Sequence, residues 1–277
     1  MKCVVSGGTG FLGSYIVKRL QQSHHNVTVW GRKLQLEPSS AFEAVISLAG
    51  EPVAQRWNDE VKQKIRDSRV LGTRSLVDAI SRLPHKPRVL VSASAIGIYG
   101  DRGDEILTET SRPGTGFLVD VCKGWEVEAD RAAELGIRVM KLRVGFVLGK
   151  NGGALAKILP AFRAFAGGRL GSGKQWMPWI HVADVAELFS YAVENEVSGV
   201  WNATAPNPVR NSQFTESLAS AVSRPALFPV PPIALKLAFG EFAQHMLDSA
   251  RVVPEAPLHH GFHFRYPNLK PALQNLL

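Results

Sequence analysis

Residues 2–13, KCVVSGGTGFLG, pass from an apolar stretch into glycines and straight on into a helical pattern, and this order constrains the fold more than any other segment. Lys2 to Val5 read as a buried strand, while Phe11, Leu12, Ile16, Val17 and Leu20 recur at the spacing of one helix face. Two glycine registers fit: Gly8, Gly10 and Gly13 as G-x-G-x-x-G, and Gly7, Gly10 and Gly13 at a wider spacing. In either register, bare backbone and the amides at a helix N-terminus, reinforced by its dipole, attract a phosphate. A strand, glycines and a helix in that order form the context in which such a turn holds the pyrophosphate of a dinucleotide.

Further apolar strands at 27–30, 44–48, 88–91 and 138–142 alternate with helical patterns at about 58–82 and 117–135. Such alternation predicts an α/β fold: a Rossmann-type doubly wound parallel sheet covered on both faces, with ligands at the C-terminal strand ends. The connection 32–43 is short for a parallel crossover, so the second helix is expected to be absent or one turn long. Beyond Gly149 the rhythm changes. A glycine-rich stretch at 167–173 leads to WMPWIHVADVAELF, and a proline-rich tail begins near Pro206. The expected division is a cofactor-binding domain over 1–150 and a smaller C-terminal α+β substrate lobe, mainly 151–277, with some segments returning to the core.

Among the 277 residues no apolar stretch is long enough to span a bilayer, and a strand starting at residue 2 leaves no space for a leader. A cytoplasmic protein without membrane attachment is expected. Two cysteines, Cys3 and Cys122, read as reduced core residues. A net charge of +8 would suit a polyanion, but Lys and Arg are scattered with no block of five or six, so a nucleic-acid partner is not expected. A basic surface also suits an anionic phosphate cofactor. His259, His260 and His263 lack carboxylate or cysteine partners at ligand spacing, so no metal is expected.

Where an NAD site carries Asp or Glu after its second strand, this chain has Gly31, Arg32 and Lys33. A guanidinium there grips a 2′-phosphate and predicts NADP(H). One charge-assisted contact of about 1.5–3 kcal/mol gives a preference of roughly ten- to over a hundredfold. Leu48, Ala49 and Gly50 close the third strand, where small residues let an adenine lie against backbone. Lys64 and Arg69 fall on the long helix facing the same edge.

SGGTGFLG, SLAGEPV, VSASAIGIYG, KGWEVEA, LRVGFVLG, GSGKQWMPWIHVADVA and the tail motif GFHFRYP, in this order, resemble the extended short-chain dehydrogenase/reductases. The likeness is strongest to the atypical epimerase-family branch, often called YfcH-like and related to NAD(P)-dependent epimerases and dehydratases, and it spans essentially the whole chain. The resemblance implies NADP contacts from Gly7, Gly10, Phe11, Leu12, Gly13, Arg32, Lys33, Leu48, Ala49, Lys64, Arg69 and, through its backbone, Val147. It implies a small-molecule substrate enclosed by the C-terminal lobe, and two copies pairing through the helices at 58–82 and 117–135.

Members of that superfamily use a Tyr-x-x-x-Lys pair with a serine, the lysine lowering the phenol pKa for proton exchange. Here Ser94 and Lys123 occupy plausible serine and lysine positions, but the residue four before Lys123 is Val119. Tyr99 is the nearest spare phenol, a substitute acid or a wall of the substrate site. Asp120 and Lys123 read as a solvated pair, Trp125 as core, and Glu126 as a cap or a bridge to a lobe arginine. His181 reads as a loop-orienting residue or an acid–base, with Asp184 capping the following helix. Two functions follow: an NADP-dependent oxidoreductase or epimerase acting on a carbonyl, hydroxyl or nucleotide-sugar-like substrate, and a non-catalytic NADP(H)-sensing module that the missing tyrosine would favour.

Overall fold

The computed structural model describes residues 1–31 and 41–277. Strands β1 (Lys2–Ser6), β2 (Asn26–Trp30), β3 (Ala44–Ser47), β4 (Val89–Ala95), β5 (Arg138–Val144) and β6 (Gly199–Ala203) form one sheet in the order β6-β5-β4-β3-β1-β2. Every pairing is parallel. From β1 the chain moves outward to β2, then returns across β1 to start β3 on its other side. The order therefore reverses between β1 and β3, the point at which an open α/β sheet opens a ligand crevice.

Strand periodicity sorts the two faces of the sheet. Cys3 and Val5 pack with Ile16 and Leu20 of α1 (Phe11–Gln22), whereas Val4 packs with Leu76, Val77 and Ile80 of α2 (Asp59–Ser81). The α2 face also carries α3 (Phe117–Asp130), and the α1 face carries Val185 and Phe189 of α4 (Val182–Glu194). Asn58 starts α2 by accepting the Val61 amide at 2.8 Å. The pattern at 117–135 divides into α3 and a 3-10 turn that ends at left-handed Gly136 (φ +75°). Cys3 and Cys122 are buried and unbridged, and burial pushes their thiols up to about 11 and about 12.

A second core packs Leu155, Leu159, Trp179, Phe214, Leu218 and Leu273, drawn from helices Gly153–Arg163, Asn211–Ala221 and Leu269–Leu276 and the strand Trp179–His181. That strand pairs in parallel with Phe146–Gly149, which extends the chain beyond β5. Between these lobe segments, α4 and β6 rejoin the main sheet. Among the described residues no helix is long and apolar enough to cross a membrane. The segment 32–40, on which the short-helix expectation falls, lies outside the described residues.

Candidate functional site

The glycine turn sits at the β1–β3 switch point and is shaped by steric necessity. Gly7 is left-handed (φ +80°), and a Cβ on it would lie 2.9 Å from the Ala49 nitrogen at the end of β3. A Cβ on Gly13 would lie 2.2 Å from the Gly7 carbonyl oxygen. The Gly10 amide donates to that same carbonyl at 3.0 Å. Gly8 is crowded too, a Cβ on it lying 2.9 Å from the Val29 side chain, but only Gly7 is left-handed and meets backbone, which favours the wider register of Gly7, Gly10 and Gly13. Helix α1 begins at once, with no side chain capping it and Gly10 exposed at its start. Its first-turn amides are therefore orphan donors directed at the crevice.

Leu48 donates its amide to the Ser6 carbonyl at 3.0 Å, and Ala49 and Gly50 stand exposed beside the glycine turn. Arg69 braces this exit. Its guanidinium packs on Gly50, donates to the Glu51 carbonyl at 2.9 Å and lies 5.2 Å from the Trp125 ring centroid. The Phe11 ring packs on bare backbone at Gly149, Gly152 and Gly153, and Val147 lies in the adjoining strand beside Ile180. Gly7, Gly10, Leu12, Gly13, Leu48, Ala49 and Arg69 thus share the strand-end edge. Lys64 does not join them: its ammonium is paired with Glu60 on the exposed face of α2. Arg32 and Lys33 lie outside the described residues.

Of the catalytic trio read from the sequence, Ser94 and Tyr99 meet in one buried network through Glu126 and Arg143, whereas Lys123 is exposed and takes no part in it. Ser94 is buried, and its hydroxyl donates to Glu126 Oε1 at 2.6 Å. Tyr99 is 0% exposed; its hydroxyl donates to Asn202 Oδ1 at 2.7 Å and accepts from Arg143 Nη1 at 3.0 Å. Burial pushes the phenol pKa up, the wrong direction for a neutral-pH acid–base, so its part as a substitute acid is corrected to a buried strut. Lys123 is exposed one turn beyond Val119, which is itself 2% exposed. No ion pair joins Asp120 to Lys123 among the described residues, which corrects the solvated-pair reading.

Glu126 does form a bridge, but to the core rather than to the lobe. Arg143 of β5 reaches it twice, Nε to Oε1 at 2.8 Å and Nη2 to Oε2 at 2.9 Å. One helical turn on, Asp130 Oδ2 accepts from Lys141 Nζ at 2.6 Å. Residues i and i+4 on a helix advance about 6 Å, as do i and i+2 on a strand, so both pairs fit one helix–strand contact. The sequence carried the signal: Lys141 and Arg143 alternate with the apolar residues Met140, Leu142 and Val144 of the strand.

The helix cap differs from expectation as well. Helix α4 begins at Val182, capped by His181 Nδ1, which accepts the Ala183 amide at 3.0 Å. Asp184, two residues on, accepts the Arg265 and Tyr266 amides at 2.8 and 3.0 Å and ties the C-terminal segment to α4. Burial pulls the His181 imidazole down to about 4, aided by the Arg265 charge and opposed by Asn275. Because the folded value lies below the unfolded one (about 6.5), the unfolded chain gains its proton first as pH falls. Stability should fall by up to about 3 kcal/mol between about pH 6.5 and 4, and His181→Asn should flatten that limb in urea titrations.

Residues 3–204 match the NAD dependent epimerase/dehydratase family, and residues 230–276 match a domain of unknown function, DUF1731. The epimerase family protein SDR39U1 homolog, chloroplastic, of Arabidopsis thaliana is 40% identical over 302 residues, covering 100% of this chain and 87% of that protein. Epimerase family protein YfhF of Bacillus subtilis (strain 168) is 36% identical over 298 residues, covering 100% and 98%. The crystal structure of human epimerase family protein SDR39U1 (isoform 2) with NADPH superimposes with a TM-score of 0.92 at 32% identity, covering 100% of this chain and 99% of that one. The switch-point crevice, the glycine register and these full-length likenesses agree: the chain belongs to the NAD-dependent epimerase/dehydratase family.

Proposed function

We propose that the protein binds NADP(H) in the β1–β3 crevice and acts as an oxidoreductase or epimerase on the carbonyl or hydroxyl group of a small, nucleotide-sugar-like molecule. The observation that carries this reading is the Gly7–Gly13 pinch beneath an α1 N-terminus that no side chain caps. Gly7, Gly10 and Gly13 would leave room for the diphosphate, the amides of Phe11 and Leu12 would donate to it, and Ala49 would flank the adenosine. Arg32, next after exposed Gly31, supplies the charge for a 2′-phosphate. The human relative described with NADPH supports the same choice.

When bound, the nicotinamide supplies hydride chemistry, and the chain supplies position and exclusion of water. Buried Ser94 and Tyr99, held by Glu126 and Arg143, fix the β4 end against α3 and β5 rather than exchanging protons. That commitment, with Val119 in the tyrosine position, favours the second reading, an NADP(H)-responsive binding module.

Calorimetry should show NADPH binding roughly ten- to a hundredfold tighter than NADH, and Arg32→Asp should remove the difference. Equal affinities in the unaltered protein would refute the NADP(H) assignment. Screening carbonyls and nucleotide sugars for NADPH oxidation or epimer exchange then separates the two readings. Turnover supports the enzyme; its absence across the panel, with a partner that distinguishes NADPH from NADP, supports the sensor.

A further inference from the structure

The four most exposed large apolar side chains among the described residues fall in one short segment: Leu227, Phe228, Ile233 and Leu237 are 64–79% exposed. Single exposed apolar residues are ordinary on a soluble protein, but a concentration of them marks a contact surface. Leu227 and Phe228 sit between Pro225 and Pro229, whose rings fix the backbone at both ends of the turn. Ile233 and Leu237 follow one turn apart, and so on one side, of helix Pro232–Phe239, in which only Leu235 is buried. The proline-bracketed turn lies against a further exposed ring. Phe228 packs its carbonyl on Gly168, the Val230 amide donates to the Arg169 carbonyl at 2.8 Å, and the Arg224 guanidinium lies 5.0 Å from the Phe165 ring centroid.

Phe165 departs from local rules. It occupies the position after the cap of helix Gly153–Arg163 with φ +60°, the left-handed site that glycine usually fills. A bulky residue is seldom held there, yet this ring is 62% exposed and gains little internal packing from the conformation. The same stretches of chain are basic and free of acid. Residues 150–183 hold five Lys or Arg and residues 217–240 hold two, with no Asp or Glu in either. Arg163, Arg169, Arg224 and Lys236 are exposed, and none enters an ion pair among the described residues. The next acid along the chain, Glu241, is paired with Lys62.

We propose that this face docks on an anionic lipid bilayer, with Phe165, Leu227 and Phe228 entering the headgroup layer and the flanking arginines and Lys236 meeting lipid phosphates. Charge opposes a second copy of the chain as the occupant, because its equivalent face would set cation against cation. Shape opposes a peptide, which needs a groove or a sheet edge, whereas these side chains project from a proline-bracketed turn. A bilayer accepts projecting apolar tips flanked by Lys and Arg. Contact of this kind requires no spanning segment, so it is compatible with the lack of a membrane-crossing helix among the described residues.

The full-length chain should co-sediment with vesicles of phosphatidylcholine and phosphatidylserine in equal parts but not with phosphatidylcholine alone, and salt should release it. Leu227→Ser combined with Phe228→Ser should weaken vesicle binding by at least about tenfold. Arg224→Gln combined with Lys236→Gln should weaken it by about fivefold per charge removed. Both variants should keep the melting temperature and NADPH affinity of the unaltered protein, since the substituted residues lie outside the cofactor crevice. The proposal is overturned if the unaltered chain ignores anionic vesicles, binds both kinds alike, or binds as before in both folded variants. It is equally overturned if sedimentation velocity reveals a dimer that the double serine variant dissolves, which would give the face to a second copy. Poly-glutamate binding as tightly as the vesicles, and lost in the serine variant, would give the face to an acidic protein and overturn the proposal too.

Discussion

Replacing Arg143 with leucine should destabilise the protein by about 3–5 kcal/mol, seen as a lower urea midpoint. The substitution leaves the Glu126 carboxylate, 8% exposed, with only the Ser94 hydroxyl for a partner. It also takes a donor from the Tyr99 hydroxyl, which helps hold Asn202 of β6. Burial pushes the Glu126 pKa up, but hydrogen bonds and charge from Arg143, the Ser94 hydroxyl and the Lys141 charge outweigh it and hold it below the usual carboxylate range. A carboxylate depressed in this way stabilises the fold above its unfolded pKa, and that contribution disappears as pH falls through the folded value. In the variant the shift reverses, so the gap from the unaltered protein should be widest near neutrality and narrow towards pH 4. Arg143→Leu with Glu126→Leu should recover most of the loss, because no charge is then stranded. A single-variant loss below about 1 kcal/mol would show that the pair does not carry the β4–α3–β5 junction.

Legibility in the sequence followed how local each determinant is. Strands β1 to β5 announce themselves as apolar runs, and α1 and α2 by periodicity. Strand β6, GVWNA, was missed because Asn202 interrupts its apolar run, and that asparagine is buried only because Tyr99, Glu109 and Val253 supply its partners. The choice between glycine registers was not visible either, since it depends on where Ala49, two residues past the end of β3, meets Gly7. The helix cap went to His181 rather than Asp184 because the tail residues Arg265 and Tyr266, about 80 positions away, claim that carboxylate. Ser94 and Tyr99 look like catalytic hydroxyls in the sequence, but Arg143 and Glu126 absorb both into a buried network.

Gly13→Ala should abolish measurable cofactor binding, weakening the NADPH affinity by at least about a hundredfold, or about 2.7 kcal/mol. The added Cβ would fall 2.2 Å from the Gly7 oxygen and 2.7 Å from the Gly8 Cα, both backbone atoms that cannot swing aside as a side chain would. Either the turn or the start of α1 must therefore move, and the donors aimed at the diphosphate lose their convergence. Some folding stability is lost too, about 1–3 kcal/mol for an overpacked site. Gly10→Ala separates the two effects. Gly10 has an ordinary φ of −72°, and its Cβ would lie 3.3 Å from the Gly7 oxygen, close but tolerable with a small adjustment. That variant should melt near the unaltered protein, so any loss of NADPH binding there reports crowding of the phosphate alone. Unchanged NADPH affinity in a folded Gly13→Ala protein would mean that the glycine turn closes the β1–α1 junction without serving as the seat of the diphosphate.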